Sequence, residues 1–362
     1  MARAPAYGRQ GRARLGVARG SVAAMSRALE APVRVGVLGA GTVGAALVRL
    51  LVRHPEFTVT AALVRDPERP RDLGPRPPRL TTDPDVVIDG ADVVVELLGG
   101  VEEPTALMAR AAERGARLVT ANKAALAEAW PTWRPWVEAG RVGFEAAVMA
   151  GTPAIGPLTG ALRGSRMHSL EAVLNGTCAY LIGEMERGVG FQVALAEAQR
   201  LGYAESDPSL DVDGWDAAHK VAVVARMTVA PELAWADVVP RVRGVRGLTP
   251  EWIRAEHAAG RRVRLIAYVE PDGAGGWRVG VEPRSVEVER PLAFLADGRN
   301  ALVYRGDAVG EVWIAGPGAG AYVTASAVLA DVLQVARGEP GPRPAAAVAS
   351  PMPPGTVAPP LA

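Results

Sequence analysis

Residues 33–54 read VRVGVLGAGTVGAALVRLLVRH, and this stretch decides the fold of the first part of the chain. An apolar run leads into Gly39, Gly41 and Gly44, after which apolar positions recur at helical spacing. Strand, glycine-rich turn and helix, in that order, make the opening of a dinucleotide site. Gly39 permits a tight turn, Gly41 lets a pyrophosphate approach the backbone, and Gly44 lets helix and strand pack closely. The helix N-terminus, beginning at Thr42 and Val43, offers unpaired amides to phosphate. The motif is short, so its place between strand and helix carries the weight; the alternative is a purely structural turn.

Working outward, FTVTAALVRD (57–66), ADVVVELLGG (91–100) and ARLVTANKAAL (116–126) supply three further strands, each ending in a polar or glycine-rich loop. Right-handed crossovers bring such loop ends to one edge of a parallel sheet, which places Lys123 on the cofactor side. The second strand ends at Arg65, where an acid that reads a ribose would otherwise sit. An arginine there pairs with a 2′-phosphate and favours NADP over NAD; Asp66 beside it leaves NAD open, and a solvated surface arginine is the alternative. Residues 31–147 thus read as an α/β, Rossmann-type nucleotide-binding domain.

From about residue 148 the pattern changes. MHSLEAVLN, RVRLIAYVEP, WRVGVEPRSVEVE, NALVYRGD and GEVWIAG read as strands in hairpin order, with helices near QVALAEAQRLG and WDAAHKVAVVARM. This predicts an α+β domain over 148–317, one open sheet with helices on one face, suited to substrate binding and dimerisation.

Composition agrees with two domains. The 362 residues are 49% hydrophobic and 22% charged with a formal charge of +1, which excludes a nucleic-acid-like basic excess and a wholly disordered chain. No run of about 18 uncharged apolar residues predicts a membrane span. The single cysteine, Cys178, fits a reducing compartment, so the cytoplasm is the expected location. Residues 1–30 are expected to be a disordered or mis-assigned extension, with Met25 an alternative start. The proline- and alanine-rich 339–362 is expected to be a disordered tail.

One segment is unusually polar. LGYAESDPSLDVDGWDAAHK (201–220) gathers Glu205, Asp207, Asp211, Asp213 and Asp216 before Lys220. Pro208 and Gly214 put the early acids in a loop, with Asp211 or Asp213 capping a helix that begins near Gly214. Asp216 and Lys220 stand four apart and share a face; spacing alone gives an exposed ion pair of about 0.3–0.5 kcal/mol. Usage changes that weighting. The chain has 38 arginines and two lysines, Lys123 and Lys220. Arginine serves wherever a cation need only be positive, so the remaining lysines mark places where a proton must be exchanged, which arginine does poorly. His219 reads as packing on another face of the helix, and Cys178 as a small buried residue.

GAGTVG, TANK, FEAAVMAGTP, NGTCAYLIGEM, the 201–220 segment and GPGAG occur in the order seen in homoserine dehydrogenases, and over roughly residues 33–338 the chain resembles the short form of that family. The resemblance implies NAD(P)-dependent interconversion of L-aspartate 4-semialdehyde and L-homoserine, on the way to threonine, isoleucine and methionine. It also implies a homodimer or tetramer acting on a small molecule, with no nucleic-acid or membrane partner. It assigns Lys220 and Lys123 to acid/base catalysis. Glu205, Asp216 and, more weakly, Asp211 are assigned to substrate binding, and Gly202 and Gly318 to the cofactor. Glu145 with the carbonyls of Val148, Ala150 and Thr152 would form a site for a monovalent cation, sodium. GPGAG would close on the cofactor before a last helix returns to the first domain. The family's usual asparagine is Ala179 here. With no kinase or C-terminal regulatory domain expected, feedback inhibition through such a domain is not expected either. Another two-domain dehydrogenase of an amino-acid-derived carbonyl, or a non-enzymatic nucleotide sensor, is the alternative reading.

Overall fold

The structure, a computed structural model, describes residues 32–295 and 298–345. The expected N-terminal extension and most of the proline-rich tail lie outside the described residues.

The first half forms a six-stranded sheet from β1 (Val33–Leu38), β2 (Phe57–Leu63), β3 (Arg79–Thr81), β4 (Val93–Glu96), β5 (Arg117–Thr120) and β6 (Val142–Gly143). Their order is β3-β2-β1-β4-β5-β6, and every pairing is parallel. Such strands are covered on both faces, which is why they read as valine-rich runs rather than as alternation. β3 and β6, with three and two residues, are too short to leave that signature. Strand order reverses between β1 and β4, the place where ligands settle in open parallel sheets.

The helix Ala321–Ala336 packs back onto this sheet. Ala325, Val328, Val332 and Val335 share a core with Leu47, Val48 and Leu51 of the helix Thr42–Leu51 and with Val35, Val37 and Val95 of the strands. The start of the expected disordered tail is a correction. Gly341 N donates to Gly140 O and Ala345 N to Met227 O, so residues 339–345 are tied down by backbone hydrogen bonds that composition does not reveal.

The second sheet contains β7 (Met167–Val173), β8 (Arg261–Pro271), β9 (Trp277–Glu287), β10 (Arg299–Gly306) and β11 (Gly310–Pro317). It is antiparallel in the order β11-β10-β7-β8-β9. The simple hairpin order is therefore corrected: two hairpins flank β7, whose two edges pair with β8 and β10. On one face Leu170, Ala172, Leu302 and Tyr304 pack with the helices Gly176–Glu186 and Trp215–Thr228. On the other, Val173, Ile266, Val286 and Val303 form a small apolar strip. Beside it, Glu171 pairs with Arg290 and Arg305, and Arg284 lies 3.9 Å from the centre of the Tyr268 ring.

Candidate active site

The glycine-rich turn has the geometry its residues imply. Gly39 takes φ +106°, and a Cβ there would stand 2.8 Å from Leu97 O. A Cβ on Gly44 would meet Gly39 O at 2.0 Å, so turn and helix touch through bare backbone, while Gly41 faces open space. Helix Thr42–Leu51 has no side-chain cap, which leaves its first amides, at Thr42 and Val43, free for an anion. Arg65 lies just beyond β2, exposed, and its guanidinium makes no hydrogen bond or ion pair among the described residues.

The opposite wall belongs to both halves of the chain. Asn122 caps the helix Lys123–Glu128 by accepting from Ala125 N, which sets Lys123 at that helix's first position. Lys123 Nζ lies 3.3 Å from Asp216 Oδ1. Lys220 Nζ donates to Asp216 Oδ2 at 2.6 Å and to Leu174 O at 2.7 Å. The two lysines, 97 positions apart in sequence, thus meet on one buried carboxylate. Burial pushes Asp216 up, yet Lys220, Lys123 and Asn175 together outweigh it and hold the carboxyl well below the usual range. The helical spacing of Asp216 and Lys220 is as read from sequence, but the pair is buried rather than a surface ion pair.

Asp211 is also occupied. Neither it nor Asp213 caps the helix: Gly214 does, at φ +89°, while Asp211 sits in the short helix Ser209–Val212 and Asp213 pairs with Arg246. Asn175 Nδ2 donates to Asp211 Oδ1 at 2.7 Å and to Asp216 Oδ2 at 2.9 Å. Thr177 Oγ1 lies 2.7 Å from Tyr203 O and 3.1 Å from Asp211 Oδ2. One hydroxyl proton serves one acceptor at a time, so Tyr203 O and Asp211 Oδ2 share it. Burial, with nearby Asp216, raises the Asp211 pKa against the hydrogen bonds from Asn175 and Thr177 and the charge of Lys220. Asn175 and Thr177 are site residues that sequence reasoning passed over; the usable signal was an asparagine standing before a helix. Of the three carboxylates expected to hold substrate, Glu205 alone has oxygens without a partner among the described residues. It is exposed, on the loop that turns at Gly202 with φ +77°.

His219 does not point away from this wall. Its Nε2 is 2.7 Å from Glu128 Oε1 and its ring lies against Trp235, 4.8 Å between centres. Burial lowers its pKa. Cys178 is buried, with its thiol pushed well up by burial, as a packed residue should be.

The late loop meets the second sheet. Thr152 Oγ1 donates to Pro317 O at 3.0 Å, and a Cβ on Gly318 would stand 2.4 Å from Asn300 Oδ1. Asn300 is 1% exposed, yet neither of its amide atoms has a partner among the described residues. An unmatched buried amide under this loop leaves a polar position that a bound polar group would complete.

The expected cation ligands are only partly arranged for one. Glu145 Oε1 accepts from Ala154 N and Ile155 N, and Oε2 from Gly156 N at 2.6 Å, so this carboxylate caps the turn Ile155–Thr159. Ala150 takes φ +54°, a conformation that favours glycine. The carbonyl oxygens of Ala150 and Thr152 accept no hydrogen bond among the described residues. Asp331, absent from the sequence-based set, accepts from Glu145 N at 2.9 Å and is raised well up by burial and by Glu145.

A parallel sheet with a phosphate-binding turn, joined to an antiparallel domain through two lysines on one carboxylate, defines a two-domain nucleotide-dependent oxidoreductase. A family model described as homoserine dehydrogenase matches residues 153–333, and one described as homoserine dehydrogenase, NAD binding domain, matches residues 39–138. The homoserine dehydrogenase of Synechocystis sp. is 37% identical over 322 residues, covering 84% of this chain and 73% of that one. That of Mycobacterium tuberculosis is 37% identical over 338 residues, covering 87% and 75%. Among solved structures, a homoserine dehydrogenase from Thiobacillus denitrificans aligns with TM-score 0.78 at 35% identity, over 84% of this chain and 73% of that one. A hyperthermophilic archaeal homoserine dehydrogenase in complex with NADPH aligns with TM-score 0.73 at 26% identity, over 86% and 100%. The chain belongs to the homoserine dehydrogenase family. It is an oxidoreductase with a nicotinamide-nucleotide cofactor and a small-molecule substrate, and no helix among the described residues is long and apolar enough to cross a membrane.

Proposed function

We propose that the chain interconverts L-aspartate 4-semialdehyde and L-homoserine with Lys220 and Lys123 as a proton-handling pair held by Asp216, in the cytoplasmic route to threonine, isoleucine and methionine. The observation that carries this reading is the shared carboxylate. Lys220 spends two of its three N–H groups on Asp216 and Leu174 O, which leaves one for the substrate oxygen. Lys123, at the nucleotide edge and a third exposed, aids from the cofactor side. The nicotinamide supplies or accepts the hydride. In the reducing direction the Lys220 ammonium donates to the aldehyde oxygen and stabilises the growing alkoxide; in the oxidising direction the free amine takes the hydroxyl proton. Glu205, with its free carboxylate, suits the substrate's amino group. Asp216 and Asp211 shape the site rather than contacting substrate through unpaired oxygens.

Gly39, Gly41, Gly44 and the amides of Thr42 and Val43 would hold the pyrophosphate, Gly202 and Gly318 would line the cofactor, and Arg65 would pair with a 2′-phosphate, so NADP is the preferred nucleotide and NAD a slower one. The residues around Glu145 fit a sodium ion to the extent of the unaccepted carbonyls of Ala150 and Thr152, with the Val148 carbonyl completing the set. The outer strip of the second sheet, near exposed Phe294 and Trp313, suits a homodimer. This reading divides the chain near residue 147, with the last helix returned to the nucleotide domain.

The test is homoserine-dependent reduction of NADP and NAD by the purified protein. Lys220→Arg and Lys123→Arg, which keep charge but exchange protons poorly, are each expected to lower kcat by about 10²–10⁴-fold with NADP affinity unchanged. Wild-type turnover in both variants would remove the lysines from the chemistry. Arg65→Ala is expected to lower the NADP-to-NAD ratio of kcat/KM; an unmoved ratio would make Arg65 a surface residue.

A further inference from the structure

Asp216, His219 and Lys220 stand at i, i+3 and i+4 of one helix, so they lie along one face. Asp216 and His219 both reach the helix Lys123–Glu128. Lys123, its first residue, meets Asp216 at 3.3 Å, and Glu128, its last, meets His219 Nε2 at 2.7 Å. A six-residue helix, about 9 Å long, is therefore gripped at both ends by a helix from the other half of the chain. Between the grips Leu126 O accepts from the buried Arg226 at 2.8 Å. The imidazole is 4% exposed, is fixed by Trp235, and has no partner at Nδ1 among the described residues. With Nε2 turned to a carboxylate, the ring's one polar contact is the grip itself.

We infer that the His219–Glu128 contact is a positioning latch for Lys123: it sets the register of the Lys123 helix and so fixes where the Lys123 ammonium stands relative to Asp216 and the reacting oxygen. Without it the far half of the helix is held by the Leu126 carbonyl and by apolar packing of Ala125, Leu126 and Ala127, which fixes register less sharply than a directed polar contact does. A six-residue helix has little rigidity of its own, so Lys123 would sample positions away from the site. The inference rests on the reading of Lys123 as part of the proton-handling pair.

The experiment measures kcat, KM, NADP affinity and the solvent deuterium isotope effect on kcat for His219→Phe, Glu128→Ala, their double variant, and Lys123→Ala. Displacing a reacting group by about 1 Å can cost on the order of 10²-fold, so His219→Phe and Glu128→Ala are each expected to lower kcat by about that factor at unchanged NADP affinity. The double variant should fall no further than the worse single one. The isotope effect should rise, because proton transfer becomes more rate-limiting, whereas a mere loss of folded protein lowers kcat and leaves it unchanged. His219→Gln, which keeps a donor near Nε2, and Glu128→Gln, which keeps the acceptor, should restore turnover. Glu128 is partly exposed, so its variants keep the test valid if His219→Phe does not fold. Undiminished kcat, additive losses or an unmoved isotope effect would overturn the latch. If Lys123→Ala itself turns over normally, the lysine reading fails; if it collapses while the latch variants do not, the latch alone fails.

Discussion

Asp216→Asn is the most demanding perturbation of the site. The asparagine oxygen can replace Oδ2, where Lys220 at 2.6 Å and Asn175 at 2.9 Å both donate. Its amide then falls at Oδ1, against the Lys123 ammonium, where two donors meet. At 3.3 Å the gross Lys123–Asp216 attraction is about 5 kcal/mol for an effective dielectric of about 20, and partial exposure of Lys123 screens it. Lys220, largely buried, also loses its counter-charge. Removing one partner of a buried pair costs about 3–5 kcal/mol; the retained hydrogen bonds point to the lower end, about 3 kcal/mol. At roughly 2–4 °C per kcal/mol, the melting midpoint should fall by roughly 6–12 °C. Loss of ordered proton transfer should lower kcat by about 10²-fold or more, with NADP affinity little changed because the phosphate turn lies elsewhere. Thermal unfolding and steady-state homoserine oxidation read the two effects separately. If both the midpoint and kcat matched the wild type, Asp216 would not be the charge partner of the lysines.

Two further predictions concern stability. Asp211 is raised in the fold above its unfolded value of about 3.9, so the unfolded chain loses its proton first and stability falls as pH climbs from that value toward the folded pKa. Asp211→Asn removes this loss and lets the amide donate to Thr177; denaturant midpoints near neutral pH should rise for the variant and coincide with the wild type in acid. Ala150→Gly releases a residue held at φ +54° and ψ −113°, and should raise stability by about 1 kcal/mol after the entropic cost of glycine in the unfolded chain. A lower denaturant midpoint would mean that Ala150 is not strained.

Much of the fold was legible along the chain because its causes are local. The Gly39–Gly44 turn, the apolar runs of β1, β2 and β4, and the five strands of the second sheet all write their period into consecutive residues. The site was legible in a different way, from the scarcity of lysine and from motif order. Neither signal indicated that Lys123 and Lys220 share an anion, or that Asp211 is spent on Asn175 and Thr177. Those facts depend on contacts between residues 34 to 93 positions apart, which no window on the sequence spans.

By itself the sequence determined a nucleotide-binding parallel sheet, an antiparallel partner and two lysines kept where arginine would fail, because periodicity, glycine placement and residue choice are recorded position by position. Tertiary structure alone decided β7's place between two hairpins, the anchoring of residues 339–345, and the meeting of both lysines on Asp216. These are set by which surfaces bury against each other, and a buried carboxylate acquires its charge state and its partners only when the chain closes around it.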